Sequence, residues 1–351
     1  MDSSVPLESQ MEKIEQRLKE SSMPNDLLER IEEEIAVVKS SLNAQGSFAN
    51  FENLVNYVNW VEKLPFGKET KDTLDLGVAK QILDKNHYGL DSVKDKILEY
   101  LSSLILNIEN KTNQELKSPV LCLLGLVGTG KTTLAYSVAE SLGRKFERIP
   151  FGGMSGAWSL RGQSRTIPDA EPGFIIKSLA HAQSKNCVIL LDELDRVIER
   201  ERSDIMGVLV ELLDAEQNKA FIDHYIDYPF DLSQVLFVAT VNNTTNIATA
   251  VLDRLEMVQM PSFTDEEKIT IAKSFLFPKI RKQTGLSENQ IAIDDIVWPT
   301  VVRPLGFDSG IRSLERTIEG ISRKVARLVV EGKAQSVQIT NENIKEFLPK
   351  M

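Results

Sequence analysis

A doubly wound, parallel α/β sheet, with a helical segment before it and a small α-helical domain after it, is the fold class this sequence predicts. Three observations predict it. Strand candidates recur at residues 120–124, 146–149, 188–191, 235–240 and 257–260, most of them apolar runs of the length of a strand buried on both faces. Helix-like stretches separate most of them, which implies parallel pairing through crossovers. The first run also feeds into Gly125-Leu-Val-Gly128-Thr-Gly130-Lys131-Thr132 and a following helix, the context of a phosphate-binding loop.

Each element can be justified in chain order. Met11, Ile14 and Leu18, then Leu27, Ile31, Ile35, Val38 and Leu42, form a stripe at helical spacing, broken at Met23-Pro24, where proline ends one helix and suits the start of the next. The stripe packs either on its own chain or against a second copy. A third helix over 51–64 stops at Leu64-Pro65-Phe66-Gly67, and a polar linker runs to Asp72. Helices follow at 78–83 and 92–108, then a polar loop at 110–118, the first strand, and a helix at 132–142. Beyond Pro261 the pattern is helical at 265–280 and 311–330, with a small strand at 337–339. The expected domains are therefore a helical segment at 1–71, an α/β nucleotide-binding domain at 72–262 and a small helical domain at 263–351.

Composition narrows the function. The 351 residues are 42% hydrophobic and 26% charged, which suits two or three globular domains. A formal charge of −10 repels phosphate backbones, so nucleic acid is an unlikely partner. Cys122 and Cys187 lie in apolar runs, which suits buried thiols in the cytoplasm or an organelle matrix. The longest apolar stretch, 120–127, is too short to cross a membrane, and the first residues lack the regions of a signal peptide. Three histidines and no cysteine cluster leave Mg²⁺ as the expected metal.

The chemistry starts at the glycine turn. Gly125, Gly128 and Gly130 let backbone N–H groups turn toward phosphate oxygens, and the following helix adds the positive end of its dipole. Lys131 reaches the β and γ phosphates of ATP, or the β phosphate of ADP; Thr132 offers its hydroxyl to Mg²⁺, and Thr133 extends the cradle. The outer carboxylate follows a second buried strand in Val188-Ile-Leu-Leu-Asp192-Glu193: Asp192 holds the magnesium's water shell, and Glu193 polarises a water in line with the γ phosphate. The pair implies ATP hydrolysis.

Together with His87-Tyr-Gly-Leu90, Arg161-Gly162, Leu191-Asp-Glu-Leu-Asp195, Asp214-Ala-Glu-Gln-Asn218, Asp223-His-Tyr-Ile-Asp-Tyr-Pro-Phe-Asp-Leu-Ser233 and Leu252-Asp-Arg-Leu-Glu256, these residues resemble the AAA+ module of the Lon protease family. The likeness continues upstream through Asn56-Tyr57, Trp60, Leu64-Pro-Phe-Gly67 and Leu74-Asp-Leu76. It implies a homo-oligomeric ring, usually a hexamer, that hydrolyses ATP between subunits and pulls unfolded or damaged proteins through a central pore. It also implies roles. Asn242 matches the first sensor, which orients the attacking water; Arg254 matches the arginine finger offered to a neighbour; Arg312 matches the second sensor on the small domain. Tyr88 and Gly89 resemble the adenine pocket, although Tyr88 equally suits a core aromatic.

Two departures stand out. Where the family carries an aromatic, an aliphatic and a glycine that grip substrate, this chain reads Ile167-Pro168-Asp169, a stiffer and acidic loop. Trp158 lies nearby and could substitute, but it is expected to be buried. Nothing here resembles the family's peptidase domain, so peptide-bond cleavage is not expected of these residues. An ATP-switched scaffold without threading is the alternative reading. A nucleic-acid-remodelling reading has only Arg144-Lys145 and the mixed-charge stretch 196–202 in its favour.

Overall fold

The computed structural model describes residues 7–41, 47–109, 119–303 and 310–348; Leu42 and the polar loop expected at 110–118 lie outside the described residues. Three helices open the chain: α1 Leu7–Lys19, α2 Asn25–Ser41 and α3 Ser47–Lys63. Pro24 directly precedes α2, as its missing N–H allows. Helix α3 opens four residues ahead of the expected start. Met11, Leu18, Leu27, Ile31 and Ile35 are fully or almost fully buried, so the stripe packs within its own chain. Each such side chain contributes on the order of 2 kcal/mol.

Helix α4 (Leu76–Asn86) starts earlier than its apolar residues suggest, because Asp75 caps it: the carboxylate accepts from Gly77 N at 2.7 Å and Val78 N at 3.1 Å. Helices α5 (Asp91–Glu109) and α6 (Lys131–Leu142) follow, the latter straight after the glycine turn. The strands are β1 Val120–Leu124, β2 Phe146–Pro150, β3 Val188–Asp192, β4 Phe221–Ile222, β5 Pro229–Phe230, β6 Leu236–Val241 and β7 Leu255–Gln259. Five of them form a parallel sheet in the order β2-β3-β6-β1-β7. Strands β4 and β5 form a separate antiparallel pair too short to be read from periodicity.

Alternate residues of the sheet feed two apolar interiors. Leu121, Leu123, Leu190 and Val238 face α4, α5 and α6. Cys122, Ile189, Leu191 and Ala239 face α8 (Phe174–Ala182) and α9 (Arg202–Leu212), and this interior is continuous with α1, α2 and α3. Burial pushes both cysteine thiols up to about 12, which leaves them protonated. Polar contacts tie the helical segment down: Tyr57 Oη donates to Ile226 O at 3.1 Å, and Arg165 pairs with Glu34 through two 2.8 Å bonds.

One expectation fails here. Trp158, at the start of the one-turn helix α7 (Trp158–Arg161), is half exposed instead of buried. Its ring lies against Gly156, where an added Cβ would sit 2.8 Å from Cδ1, so the ring covers backbone and not core.

Helix α10 (Thr249–Leu252) leads into β7, and the described residues from Asp265 onward form the small helical unit. It begins with α11 (Asp265–Ile271), closed by a capping box between Thr264 and Glu267. A π turn at Ala272–Leu276 joins α11 to α12 (Phe277–Gln283); Pro278 has no N–H for the carbonyl four residues back, which accounts for the irregularity. Then come β8 (Ile291–Ile293), α13 (Trp298–Val302), α14 (Arg312–Val330), β9 (Val337–Ile339) and α15 (Ile344–Phe347). Strand β9, expected at 337–339, pairs with β8, which was not expected. Among the described residues no helix is long and apolar enough to cross a membrane.

Candidate nucleotide site

Register places the site. Leu124 lies level with Val241, and Pro150 with Asp192, so the carboxyl ends of β1, β6 and β3 emerge side by side. A cavity of about 860 Å³ opens there, lined by the glycine turn, the ends of β3 and β6, the His87-Tyr88 turn and the first turn of α14. Tyr88, Gly128, Gly130, Lys131, Thr132, Thr133, Asp192, Glu193, Asn242 and Arg312 all border it. Gly125, Gly89 and Arg254 do not.

The three glycines of the turn serve different ends. Gly125 is imposed by packing: a Cβ there would lie 2.6 Å from Met260 Cβ and 2.8 Å from Met260 O. Gly128 and Gly130 have φ of +84° and +91°, which L side chains resist, and these angles turn the loop around the cavity. Gly128 also touches the small helical unit, since Ile311 N donates to its carbonyl at 3.0 Å. Gly89, with φ +62°, turns the chain between Tyr88 and Leu90, which both line the cavity. Tyr88 is half exposed beside Leu90, Phe263 and Phe275, so it forms a wall of the cavity and is not a core aromatic.

Lys131 is buried, with its Nζ donating to Gly125 O at 2.5 Å, Leu126 O at 3.0 Å and Asn242 Oδ1 at 3.1 Å. Burial lowers its pKa, against the pull of Asp195, Asp192 and Glu193. Asn242 Nδ2 in turn donates to both oxygens of Asp195, at 3.3 and 3.2 Å, and its backbone N reaches Asp195 Oδ1 at 3.0 Å. The amide thus bridges an ammonium and a buried carboxylate.

At the end of β3, Asp192 Oδ1 accepts from Thr240 Oγ1 at 2.5 Å, and Oδ2 from Arg148 Nε at 2.7 Å. Glu193 sits at φ +59°, a costly angle for a residue with a side chain, and borders the cavity. Its backbone N donates to Thr240 Oγ1 at 2.8 Å, and its carboxylate pairs with Arg196 at 3.4 Å. Thr240 and Arg148 were not identified from sequence, and Asp195 was read only as the end of the Leu191-Asp-Glu-Leu-Asp195 string, without a role. A lone polar residue inside an apolar strand, Thr240, was the one signal on offer.

The donor set fits Mg²⁺ and a triphosphate. Among the described residues no three His, Cys, Asp or Glu side chains converge to hold a metal unaided. A hard cation shared with phosphate and water needs only a carboxylate and a hydroxyl, which Asp192 and Thr132 supply on one cavity wall.

Elsewhere, Arg254 bonds Asp214 Oδ2 at 3.0 Å and Ala250 O at 2.7 Å, outside the cavity of its own chain. Arg144 is buried in a two-bond pair with Asp72, at 2.8 and 2.7 Å, so it forms no free basic patch.

His87, next to Tyr88 on the cavity wall, makes a measurable prediction. Its Nε2 lies 2.9 Å from Ser137 Oγ, and burial, aided by the nearby Lys94 charge, pushes its pKa down to about 4. Between pH 6.5 and 4 the unfolded chain takes up a proton that the folded one refuses, so stability falls as pH falls, by on the order of 3 kcal/mol in all. Urea midpoints measured across that window should decline in the native chain and flatten in His87→Gln.

Comparison with known proteins agrees with this geometry. Residues 121–262 match the model of the ATPase family associated with various cellular activities (AAA), and residues 282–337 that of the Lon protease AAA+ ATPase lid domain. A Lon protease of Lawsonia intracellularis is 40% identical over 98% of this chain and 40% of its own length. Those of Clostridioides difficile and Desulforamulus reducens are 41% and 44% identical, over 98% and 84% of this chain and 43% and 35% of theirs. The chain thus spans about two-fifths of the length of the relatives it matches. With an AAA core, a Lon-type lid and this similarity along almost all its length, the chain belongs to the Lon protease family of AAA+ ATPases.

Proposed function

We propose that this chain is an ATP-driven protein unfoldase or translocase, the motor module of a Lon-type protease, working in the cytoplasm or an organelle matrix. One observation carries the reading: Lys131, Asp192, Glu193, Asn242 and Arg312 border a single cavity large enough for a nucleotide. Its three parts are the helical segment to residue 71, the nucleotide-binding domain at 72–262 and the small helical domain at 263–351.

Gly128, Gly130 and Thr133 cradle the phosphates of ATP or ADP, Tyr88 and Gly89 shape the adenine end, and Gly125 lets the turn leave β1. Lys131 exchanges its carbonyl partners for β and γ oxygens. Glu193 takes the proton of the attacking water, which Asn242 orients while held by Asp195. Bound Mg²⁺, held by Thr132 and through water by Asp192, would neutralise phosphate charge. Arg254 completes the pocket of the next subunit in a homo-oligomeric ring, probed by mass in solution with and without ATP. Arg312, one residue beyond the Ile311–Gly128 contact, couples the state of the pocket to the small domain.

Lys131→Met should weaken ATP binding by about 100-fold, because two charge-assisted phosphate contacts are lost. Titration with a fluorescent ATP analogue measures it. Threading of a tagged, unfolded protein tests the motor itself, and hydrolysis without any threading would sink it. That result would favour the ATP-switched scaffold, which one observation supports: the loop at 167–169 offers no aromatic, and Asp169 is fixed at φ +58°.

A further inference from the structure

The charge on Asp192 is already matched by a cation from this chain. Arg148, on the edge strand β2, places Nε at 2.7 Å and Nη2 at 2.6 Å from Asp192 Oδ2, while Thr240 occupies Oδ1. Both carboxylate oxygens are therefore engaged. The two partners differ in freedom: the Asp192 side chain is 4% exposed and fixed at the end of β3, whereas that of Arg148 is 51% exposed and can swing into solvent. A buried carboxylate without a counter-charge is costly, and two cations on one carboxylate repel each other.

We propose that Arg148 is the resident counter-cation of Asp192, which holds the carboxylate while metal is absent and yields it when Mg²⁺ enters with nucleotide. Arg148 is thus a positioning residue that sets how much divalent cation the site requires. The inference rests on the reading of Asp192 as the metal-side carboxylate. Two features separate it from an ordinary ion pair. The guanidinium binds the one acid assigned to the metal, and it sits on the strand neighbouring β3, so it can leave without disturbing the sheet's hydrogen bonds.

The test uses the full chain loaded with ADP and titrated with Mn²⁺, free Mn²⁺ being read by electron paramagnetic resonance. Arg148→Met keeps most of the apolar stem and removes the charge. It should bind Mn²⁺ about tenfold more tightly than the native chain, with Arg148→Lys in between, and the gain should vanish when Asp192→Asn is added. Equal or weaker Mn²⁺ binding by Arg148→Met, or a gain that survives Asp192→Asn, overturns the proposal. If Arg148→Met fails to fold, Arg148→Lys decides by the same shift or its absence. Uptake of a fluorescent ADP analogue in EDTA is measured first. No uptake by the native chain defeats the nucleotide reading itself, an outcome distinct from unchanged Mn²⁺ affinity.

Discussion

Glu193→Gln should bind ATP within about twofold of the native chain yet turn it over about 1,000-fold more slowly, the usual range for loss of a positioned general base. The separation follows from the geometry. Glu193 borders the cavity, and its backbone N–H and the strand before it are anchored by Thr240 and the sheet. Glutamine keeps the shape and the contacts of the neutral atoms. It loses the basic oxygen and part of the attraction to Arg196. Single-turnover hydrolysis with labelled ATP, beside an equilibrium binding curve, reads both quantities. Turnover within tenfold of normal would remove Glu193 as the base.

Arg254→Ala should cut hydrolysis as deeply, by about 1,000-fold, with nucleotide affinity unchanged. Arg254 lies outside the cavity of its own chain, held by Asp214 and Ala250 O, so the proposed finger role requires the pocket of a neighbouring subunit. Mixing supplies the decisive measurement. Glu193→Gln subunits keep Arg254, and Arg254→Ala subunits keep an intact pocket, so a mixture of two inactive proteins should regain activity. A mixture as inactive as its components would mean that Arg254 acts only within its own chain, as a partner of Asp214.

How much of this could be read from the sequence depended on distance along the chain. Strands β1, β3 and β6 were legible because burial on both faces makes them continuous apolar runs, and the glycine turn was legible because its parts are contiguous. Asp192 and Glu193 stand at the end of such a run. Their partners do not. Thr240 reaches Asp192 across 48 positions and Arg148 across 44, while Asn242 meets Asp195 across 47; only the sheet order brings them together. The exposure of Trp158 was missed for a related reason, because the surface it covers is the backbone at Gly156 and not another apolar side chain. Strand β8 escaped, although its equally short partner β9 was expected.

The link between the helical segment and the loop at 167–169 has a mechanical meaning. Arg165 grips Glu34 with both terminal nitrogens and stacks its guanidinium 3.9 Å from the centre of the Tyr57 ring, two positions ahead of Ile167. Tension applied to that loop is therefore shared with α2 and α3 before it strains the sheet. The opening helices act as a brace for that loop, and Glu34→Ala should loosen it while sparing ATP hydrolysis.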